Sequence, residues 1–191
     1  TIPSPRTRVN GHELSIPQFY KRVYKLDDVV PVDYYVPGCP PAPDQVKKVI
    51  QAIAAGALPP KGSVVGASER TVCDDCARTK KEKKVRRFYR PWEIRQDPEL
   101  CLLEQGILCA GSVTRSGCGV RCPDSGMPCR GCYGPAPNVR DQGAKLLSAA
   151  ASIVDSKDPE EIDRILDGIP DFLNYAYRFG LPASLLQRRF R

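Results

Sequence analysis

The spacing of nine cysteines constrains this 191-residue chain more than any other feature of its sequence. All nine fall between residues 39 and 132, and eight form one run with the pattern C-x2-C-x24-C-x7-C-x8-C-x3-C-x6-C-x2-C. The run divides into a first quartet and a second quartet, and one cysteine, Cys39, stands alone upstream. The first quartet comprises Cys73, Cys76, Cys101 and Cys109, and the second comprises Cys118, Cys122, Cys129 and Cys132. Because four thiolates bind one [4Fe–4S] cluster, the spacing predicts two complete clusters and one ligand of a third.

Two other uses of cysteine compete with iron–sulfur clusters. Disulfide frameworks in small secreted chains prefer even numbers of cysteines, whereas the number here is odd. A zinc ribbon would pair the two C-x2-C units at the ends of the run, which leaves five cysteines without a role. Two zinc sites would use both quartets but leave Cys39 unexplained. Iron–sulfur ligation is therefore favoured, and structural zinc stays open as the alternative.

Glycine and proline are interleaved with the cysteines. Seven glycines lie between residues 106 and 134, and a proline follows both Cys39 and Cys122. Glycine lets the backbone approach closely, so that N–H groups can point at the sulfur atoms of an anionic cluster. Proline directly after a ligand cysteine also occurs in bacterial ferredoxin sequences. Both features favour a cluster over a zinc site.

Cys39 lies in a different local context. Residues 29–36 are rich in β-branched and aromatic side chains and predict a buried strand, which ends at a Pro-Gly turn. The apolar periodicity from Gln45 to Ala57 predicts a helix with Asp44 as its N-cap. Cys39 would then lie in a strand-to-helix loop at the carboxyl edge of a sheet, where α/β folds place their ligands.

Three domains are predicted from these patterns. Residues 1–65 would be the C-terminal part of an α/β domain, a remnant of a flavodoxin-like sheet, carrying Cys39 as one cluster ligand. Residues 66–140 would be an irregular, loop- and helix-rich domain that binds two [4Fe–4S] clusters, and residues 141–191 a helical tail. One strand and one helix do not complete a sheet, and the chain begins at Thr1 without methionine. We therefore expect an upstream half of the α/β domain.

The tail contains no cysteine and has a helical period. Apolar positions between Ala144 and Val154 predict one helix. Asp158 and Pro159 predict the N-terminal cap and first turn of a second helix, and residues 172–179 predict a third. No apolar run approaches the length needed to cross a membrane, so the chain is expected to be soluble.

A basic stretch runs from residue 69 to residue 90. Its cations are Arg70, Arg78, Lys80, Lys81, Lys83, Lys84, Arg86, Arg87 and Arg90, against four carboxylates. The simplest interpretation is a solvated surface loop. One alternative is a docking surface for an acidic electron-transfer partner beside the first quartet. Nucleic acid stacked on the nearby aromatic residues Phe88, Tyr89 and Trp92 is the least favoured.

Three segments carry a resemblance to a known family. Residues 101–118 have the sequence C-L-L-E-Q-G-I-L-C-A-G-S-V-T-R-S-G-C, residues 127–132 are M-P-C-R-G-C, and residues 32–41 are V-D-Y-Y-V-P-G-C-P-P. Together they resemble the small subunit of nickel–iron hydrogenases, in the cytoplasmic methyl-viologen-reducing and sulfhydrogenase-like branch. The third segment is less specific, because a related turn occurs in quinone-reductase subunits. The resemblance covers roughly residues 1–140 and, more loosely, the tail.

The resemblance implies a role for each cysteine. Cys39 would be one ligand of a proximal cluster whose other cysteines lie upstream. The first quartet would hold the distal cluster and the second quartet the medial cluster. Cys73 stands where many members have histidine, which implies a lower reduction potential. Cys122 adds a fourth cysteine where many members have three, which implies a [4Fe–4S] cluster in place of a [3Fe–4S] cluster.

The resemblance also implies a function, with no catalytic residue in this chain. The chain would relay electrons between a hydrogen-activating large subunit and a downstream iron–sulfur or flavin subunit, in a cytoplasmic complex of the kind that works with heterodisulfide reductase. Two alternatives stay open. One is a zinc-stabilised module that binds nucleic acid or protein, and the other is a quinone-reductase-like iron–sulfur subunit.

Overall fold

The computed structural model describes residues 3–81 and 84–188, with side chains described as far as Leu186. By its internal contacts the chain divides into two units, residues 1–31 and residues 32–191. The second unit contains all nine cysteines.

The first unit contains a β-hairpin. Strand β1 (Arg6–Val9) pairs antiparallel with strand β2 (His12–Ser15), with Val9 opposite His12. The connecting residues Asn10 and Gly11 both have positive φ, as a tight two-residue hairpin turn requires. Both faces of the hairpin are exposed. A 3-10 turn (Leu26–Asp28) follows near the end of the unit.

The predicted buried strand at residues 29–36 is wrong. Val29 is 63% exposed and Val30 is 43% exposed. Tyr35 makes one isolated parallel bridge with Val64, donating its N–H to the carbonyl of Ser63. A β-branched sequence becomes a strand only where a neighbouring strand accepts its backbone hydrogen bonds. Within the described residues, that pairing with residues 62–65 is limited to Asp33 and Tyr35.

The predicted helix after Cys39 is confirmed, but its ends are shifted and the predicted N-cap is wrong, since Ala42 and not Asp44 occupies that position. Helix α1 (Pro43–Ala54) begins earlier than predicted because a proline occupies its first turn, where no N–H bond is lost. Its burial differs from the sequence expectation. Ile50 and Ile53 are more than half exposed, whereas the polar Gln45 is 2% exposed. The apolar face of this helix is therefore not the face that packs in the structure.

Short elements separated by loops carry the cysteine run. They are helix α2 (Val72–Asp75), a 3-10 helix (Ala110–Val113) and helix α3 (Arg121–Asp124). Helix α2 is held at its start by a capping box, in which the Asp74 carboxylate accepts the N–H of Thr71 at 2.7 Å. Because no long helix or strand runs through the described residues of this region, local turns and loop contacts decide where each sulfur atom lies.

The three predicted tail helices are confirmed. They are α4 (Gln142–Ala151), α5 (Pro159–Asp167) and α6 (Phe172–Tyr177). The Asp158 carboxylate caps α5 as predicted, by accepting the N–H of Glu160. A 3-10 turn (Leu181–Ala183) and helix α7 (Leu185–Arg188) follow. None of the helices among the described residues is long and apolar enough to cross a membrane.

One hydrophobic core joins the tail to the cysteine region. Helix α4 packs against α5, α6 and the 3-10 helix Ala110–Val113. Leu146 and Ala150 of α4 are at most 1% exposed and belong to the same buried cluster as Ile107 and Val113. Cys109 and Cys129 also belong to this cluster. The predicted domain boundaries at residues 65 and 140 stay predictions.

Candidate metal centre

All nine cysteines are free thiols. Cys109 and Cys129 are buried, Cys39 and Cys122 are exposed, and the other five are partly buried. The two buried thiols lie at the centre of the cysteine region, and the exposed ones lie at its surface. The thiols are therefore available as ligands and are not consumed as cross-links.

The second quartet surrounds one cavity. All four of its cysteines line a cavity of about 290 Å³, which we call the second-quartet cavity. Other lining residues are Pro40, Pro41, Arg121, Arg130 and Tyr133. Four thiols and two guanidinium groups around one hollow suit an anionic iron–sulfur cluster, because the cations offset its charge. The structure thus brings together the four cysteines that the spacing grouped.

Cys39 lies beside the second quartet. Its backbone lies close enough to the Cys132 thiol to act on its pKa. Burial, followed by the neighbouring Cys122 and Cys118 thiols, raises the pKa of Cys132, and the hydrogen bond from Cys39 opposes that rise. The turn before Cys39 requires glycine: Gly38 has φ +128°, and a Cβ there would lie 2.5 Å from Cα of Pro41.

Tyr133 fixes this arrangement from the other side. Its hydroxyl donates to Oε1 of Gln45 in helix α1, and it lies 3.4 Å from the backbone nitrogen of Ala42, which donates to it. The start of α1 is therefore held next to Cys132, the residue that precedes Tyr133. Gln45 is buried for this reason, and its Nε2 atom has no hydrogen-bond partner among the described residues.

The first quartet is gathered around helix α2. Burial, and next the neighbouring Cys101 thiol, raises the pKa of Cys73 to about 12, with Cys76 acting in the same sense. Cys109 interacts electrostatically with both Cys73 and Cys101. Cys73 therefore interacts with each of the other three thiols of the first quartet, and with Cys129 of the second quartet as well.

Hydrogen bonds and a glycine shape the space between Cys73 and Cys109. The sulfur of Cys109 accepts backbone N–H groups from Gly111 and from Cys129, the latter at 3.2 Å. A Cβ added to Gly111 would lie 3.0 Å from the sulfur of Cys73 and 3.7 Å from that of Cys109. Free N–H donors and the absence of a side chain are what sulfur atoms of a cluster require from the nearby backbone. The residues present therefore fit an iron–sulfur cluster.

A single metal ion does not have the same support. Among the described residues, no three histidine, cysteine, aspartate or glutamate side chains are grouped so that they could hold one metal ion. A four-iron cluster makes a different demand, because each thiolate binds its own iron atom and the sulfur atoms lie farther apart than around one zinc ion.

Two of the predicted basic residues hold the cysteine loops. The guanidinium of Arg78 donates to the carbonyl oxygens of Pro123, Asp97 and Leu100, all within 3.1 Å. Lys80 donates from Nζ to the carbonyl oxygen of Cys73 at 2.6 Å, and its charge opposes the rise in the Cys73 pKa.

The remaining residues of the basic stretch, and the aromatic residues near it, include both exposed and buried side chains. Arg86 pairs with Asp155 at 3.1 Å on the surface, and Lys83 lies outside the described residues. Phe88 is buried in the core, whereas Trp92 is 73% exposed. The stretch is therefore not a uniform solvated loop.

Sequence reasoning missed the polar residues that organise the sulfur atoms from a distance. Tyr175 of α6 donates its hydroxyl to carbonyl oxygens beside both buried cysteines. Thr114 accepts from Nε2 of Gln142 at 2.9 Å, and its hydroxyl also interacts with Cys129. Each of these contacts joins residues more than a dozen positions apart, and no local sequence pattern predicts them.

Free thiols in two groups, backbone donors to sulfur and flanking guanidinium groups define the chain as a protein of the iron–sulfur class. Comparison with known proteins agrees. Residues 5–53 match the family described as NADH ubiquinone oxidoreductase, 20 Kd subunit. The chain is 40% identical over 195 positions to the iron–sulfur subunit of the F420-non-reducing hydrogenase of Archaeoglobus profundus, covering 98% of this chain and 59% of that protein.

Two further relatives extend the comparison. The corresponding protein of the F420-non-reducing hydrogenase of Methanothermus fervidus is 42% identical over 103 residues, which are 52% of this chain and 81% of that protein. The delta chain of sulfhydrogenase 2 of Pyrococcus furiosus is 35% identical over 111 residues, 58% of this chain and 37% of that protein. The chain belongs to the family of hydrogenase iron–sulfur subunits that includes those of the F420-non-reducing hydrogenases. It spans 59% of the length of the Archaeoglobus relative.

Proposed function

We propose that this chain is the electron-transferring small subunit of a nickel–iron hydrogenase. It relays electrons between a hydrogen-activating large subunit and a downstream redox partner. The observation that carries the proposal is the spatial order of the thiols. Cys39 adjoins the second quartet through Cys132, and the second quartet adjoins the first through Cys129 and Cys109. Ligand sets that adjoin one another in succession suit a conduit for electrons.

Each ligand set has its own proposed cluster. The first quartet holds a [4Fe–4S] cluster at the distal position, and the second quartet holds a [4Fe–4S] cluster at the medial position. Cys122 supports the second assignment, because it lines the second-quartet cavity with the other three cysteines. Cys39 is one ligand of a proximal cluster whose remaining ligands lie outside this sequence.

The chain's own residues have three tasks in this function. The thiols hold the iron atoms, the backbone N–H groups at Gly111, Cys129 and Gly131 donate to sulfur, and the apolar core excludes water. The bound clusters supply the one-electron chemistry. Hydrogen bonds to sulfur and a low-polarity surrounding set reduction potentials, so these residues tune the relay without making or breaking bonds themselves.

The α/β assignment of residues 1–65 belongs to the same proposal. Helix α1 lies between Tyr35 and Val64, which pair in parallel. A helix that connects two parallel strands is the unit from which flavodoxin-like sheets are built. The proposal assigns residues 66–140 to the cluster-binding domain and residues 141–191 to the helical tail that covers it.

The proposed partners follow from the relay. The large subunit carries the nickel and meets the side of the chain near Cys39. A downstream iron–sulfur or flavin subunit, in a complex of the kind linked to heterodisulfide reductase, meets the side near the first quartet. The similarity to subunits of multi-subunit hydrogenases supports a large-subunit partner. The resemblance to the cytoplasmic branch supports a cytoplasmic location.

Metal analysis of the natural protein, purified without oxygen, tests the proposal. Two clusters from this chain require about eight or more iron atoms per chain, with matching sulfide. Nickel should co-purify, and hydrogen should drive the reduction of a viologen dye by the complex. Zinc in place of iron would overturn the relay. Iron without nickel in the complex would retain the clusters and overturn the hydrogenase assignment in favour of a quinone-reductase-like subunit.

A further inference from the structure

The two quartets meet between Cys109 and Cys129. The backbone N–H of Cys129 donates to the sulfur atom of Cys109 at 3.2 Å. In return, the N–H of Ala110 donates to the carbonyl oxygen of Cys129 at 2.9 Å. Both cysteines are buried, at 9% and 7% exposure. We call this pair of hydrogen bonds the quartet junction.

The quartet junction is held by a residue from the tail. The hydroxyl of Tyr175 lies 2.5 Å from the carbonyl oxygen of Leu108 and 3.0 Å from that of Cys129. A tyrosine has one hydroxyl proton, so the two carbonyls share it. One carbonyl precedes Cys109 and the other belongs to Cys129. The single hydroxyl therefore ties the two sides of the junction together.

The tyrosine itself is fixed in place. Tyr175 is 9% exposed, and the guanidinium of Arg130 lies over its ring at 4.6 Å from the ring centre. Arg130 follows Cys129 in sequence and lines the second-quartet cavity. A buried hydroxyl that lost its partners would cost stability, and a cation over the ring adds a further restraint on its position.

We propose that the quartet junction is the route by which electrons pass between the two clusters of this chain, and that Tyr175 is the positioning residue that holds it closed. This inference rests on the proposed function. One electron leaves one cluster as the other gains it, and no bond is broken. The hydrogen bond from Cys129 to the Cys109 sulfur joins a ligand of one cluster to a ligand of the other. It is a direct polar link between the two quartets, 3.2 Å long.

The junction also has an asymmetry that makes it testable. The donated N–H ends on the Cys109 sulfur, which belongs to the first quartet. The sulfur of Cys129 interacts instead with the backbone N–H of Gly131, which does not depend on Tyr175. A hydrogen bond to a ligand sulfur stabilises the reduced cluster and raises its potential. Loosening the junction should therefore lower the potential of the first-quartet cluster and leave that of the second-quartet cluster in place.

The test compares two hydroxyl deletions on one helix. Tyr175→Phe removes the hydroxyl that bonds the two carbonyl oxygens and keeps the ring under Arg130. Tyr177→Phe is the matched control, because the Tyr177 hydroxyl interacts with Asp141, the N-cap of helix α4, and its ring packs over Gly143 of that helix. Both variants are made in the cluster-loaded protein within its native complex. The readouts are a redox titration followed by electron paramagnetic resonance, and the magnetic interaction between the two reduced clusters.

We expect Tyr175→Phe to shift the first-quartet cluster to a more negative potential and to weaken the magnetic interaction, while Tyr177→Phe matches the natural protein. Equal behaviour of the two variants in both readouts overturns the inference. If Tyr175→Phe binds less iron, 3-fluorotyrosine at position 175 decides, since it keeps the hydroxyl and strengthens it as a donor. A shift of the first-quartet cluster to a more positive potential in this protein supports the role of the Tyr175 hydroxyl, and an unchanged potential overturns it. A natural protein without clusters would instead overturn the proposed function.

Discussion

Replacing Gly111 by alanine should selectively damage the first-quartet cluster. The added Cβ would lie 3.0 Å from the Cys73 sulfur, whereas non-bonded heavy atoms prefer separations of about 3.5–4.0 Å. A sulfur bound to iron cannot retreat freely by that difference. Overpacking of this kind typically costs about 1–3 kcal/mol, which corresponds to a roughly 5- to 150-fold weaker retention of the cluster.

The backbone gives no other reason for a loss at this position. Gly111 is not among the glycines with positive φ, and it lies in a 3-10 helix that accepts alanine. On conformational entropy alone, alanine should stabilise the chain by about 0.4–1 kcal/mol. Any loss must therefore come from the contact with sulfur.

Iron content and electron paramagnetic resonance of the Gly111→Ala protein measure the effect. The resonance of the first-quartet cluster should weaken or change, and that of the second-quartet cluster should persist. Gly180→Ala is the control, because φ there is −110° and the nearest neighbour of an added Cβ, Oε1 of Gln142, lies 4.0 Å away. A full complement of iron and an unaltered first-quartet spectrum in Gly111→Ala would refute the reasoning.

Three further predictions concern the core, the second quartet and the thiols. Leu146→Ala should cost about 2–5 kcal/mol in denaturant unfolding because Leu146 is 1% exposed, whereas Leu147→Ala, at 39% exposure, should cost much less; equal costs would contradict the assigned core. Cys122→Ala should convert the second-quartet centre to a three-iron cluster with a raised potential, and an unchanged four-iron spectrum would remove Cys122 from the ligands. Burial raises the pKa of Cys109 from 9.0 to about 12, so this thiol ionises at lower pH in the unfolded chain than in the folded one. Between pH 9 and 12, the free energy of unfolding of the metal-free protein should therefore fall by about 1.4 kcal/mol per pH unit because of this thiol. A free energy of unfolding that stays constant over this range would contradict the burial argument.

Local chemistry made several elements predictable from sequence. Asp158 and Pro159 predicted the start of α5, because a side-chain cap and a first-turn proline affect only the backbone of the adjacent residues. The grouping of Cys118, Cys122 and Cys129 with Cys132 around one cavity also agrees with their spacing. In both cases the residues that interact are near each other along the chain.

Residues 29–36 show where such reasoning fails. Their β-branched side chains favour a strand, yet among the described residues only Asp33 and Tyr35 of this segment hydrogen-bond through the backbone to residues 62–65. Gln45 fails in the opposite direction. A polar residue in an amphipathic helix is expected at the surface, but Gln45 is buried, where its side chain accepts a hydrogen bond from the hydroxyl of Tyr133, 88 positions away. Neither outcome is encoded in the surrounding residues.

The amino-acid sequence by itself determined the chemistry of this protein: nine thiols in a spacing suited to two four-iron clusters and part of a third. It did so because ligand type and short spacing are local properties. Only the tertiary structure decided which sulfur atoms adjoin across the two quartets. The contact of Cys109 with Cys129 spans 20 positions, and the hydroxyl of Tyr175 that holds it lies 46 positions beyond Cys129. Such contacts arise from the burial of α4 and α6 against the cysteine loops, and this packing depends on residues distributed over the chain.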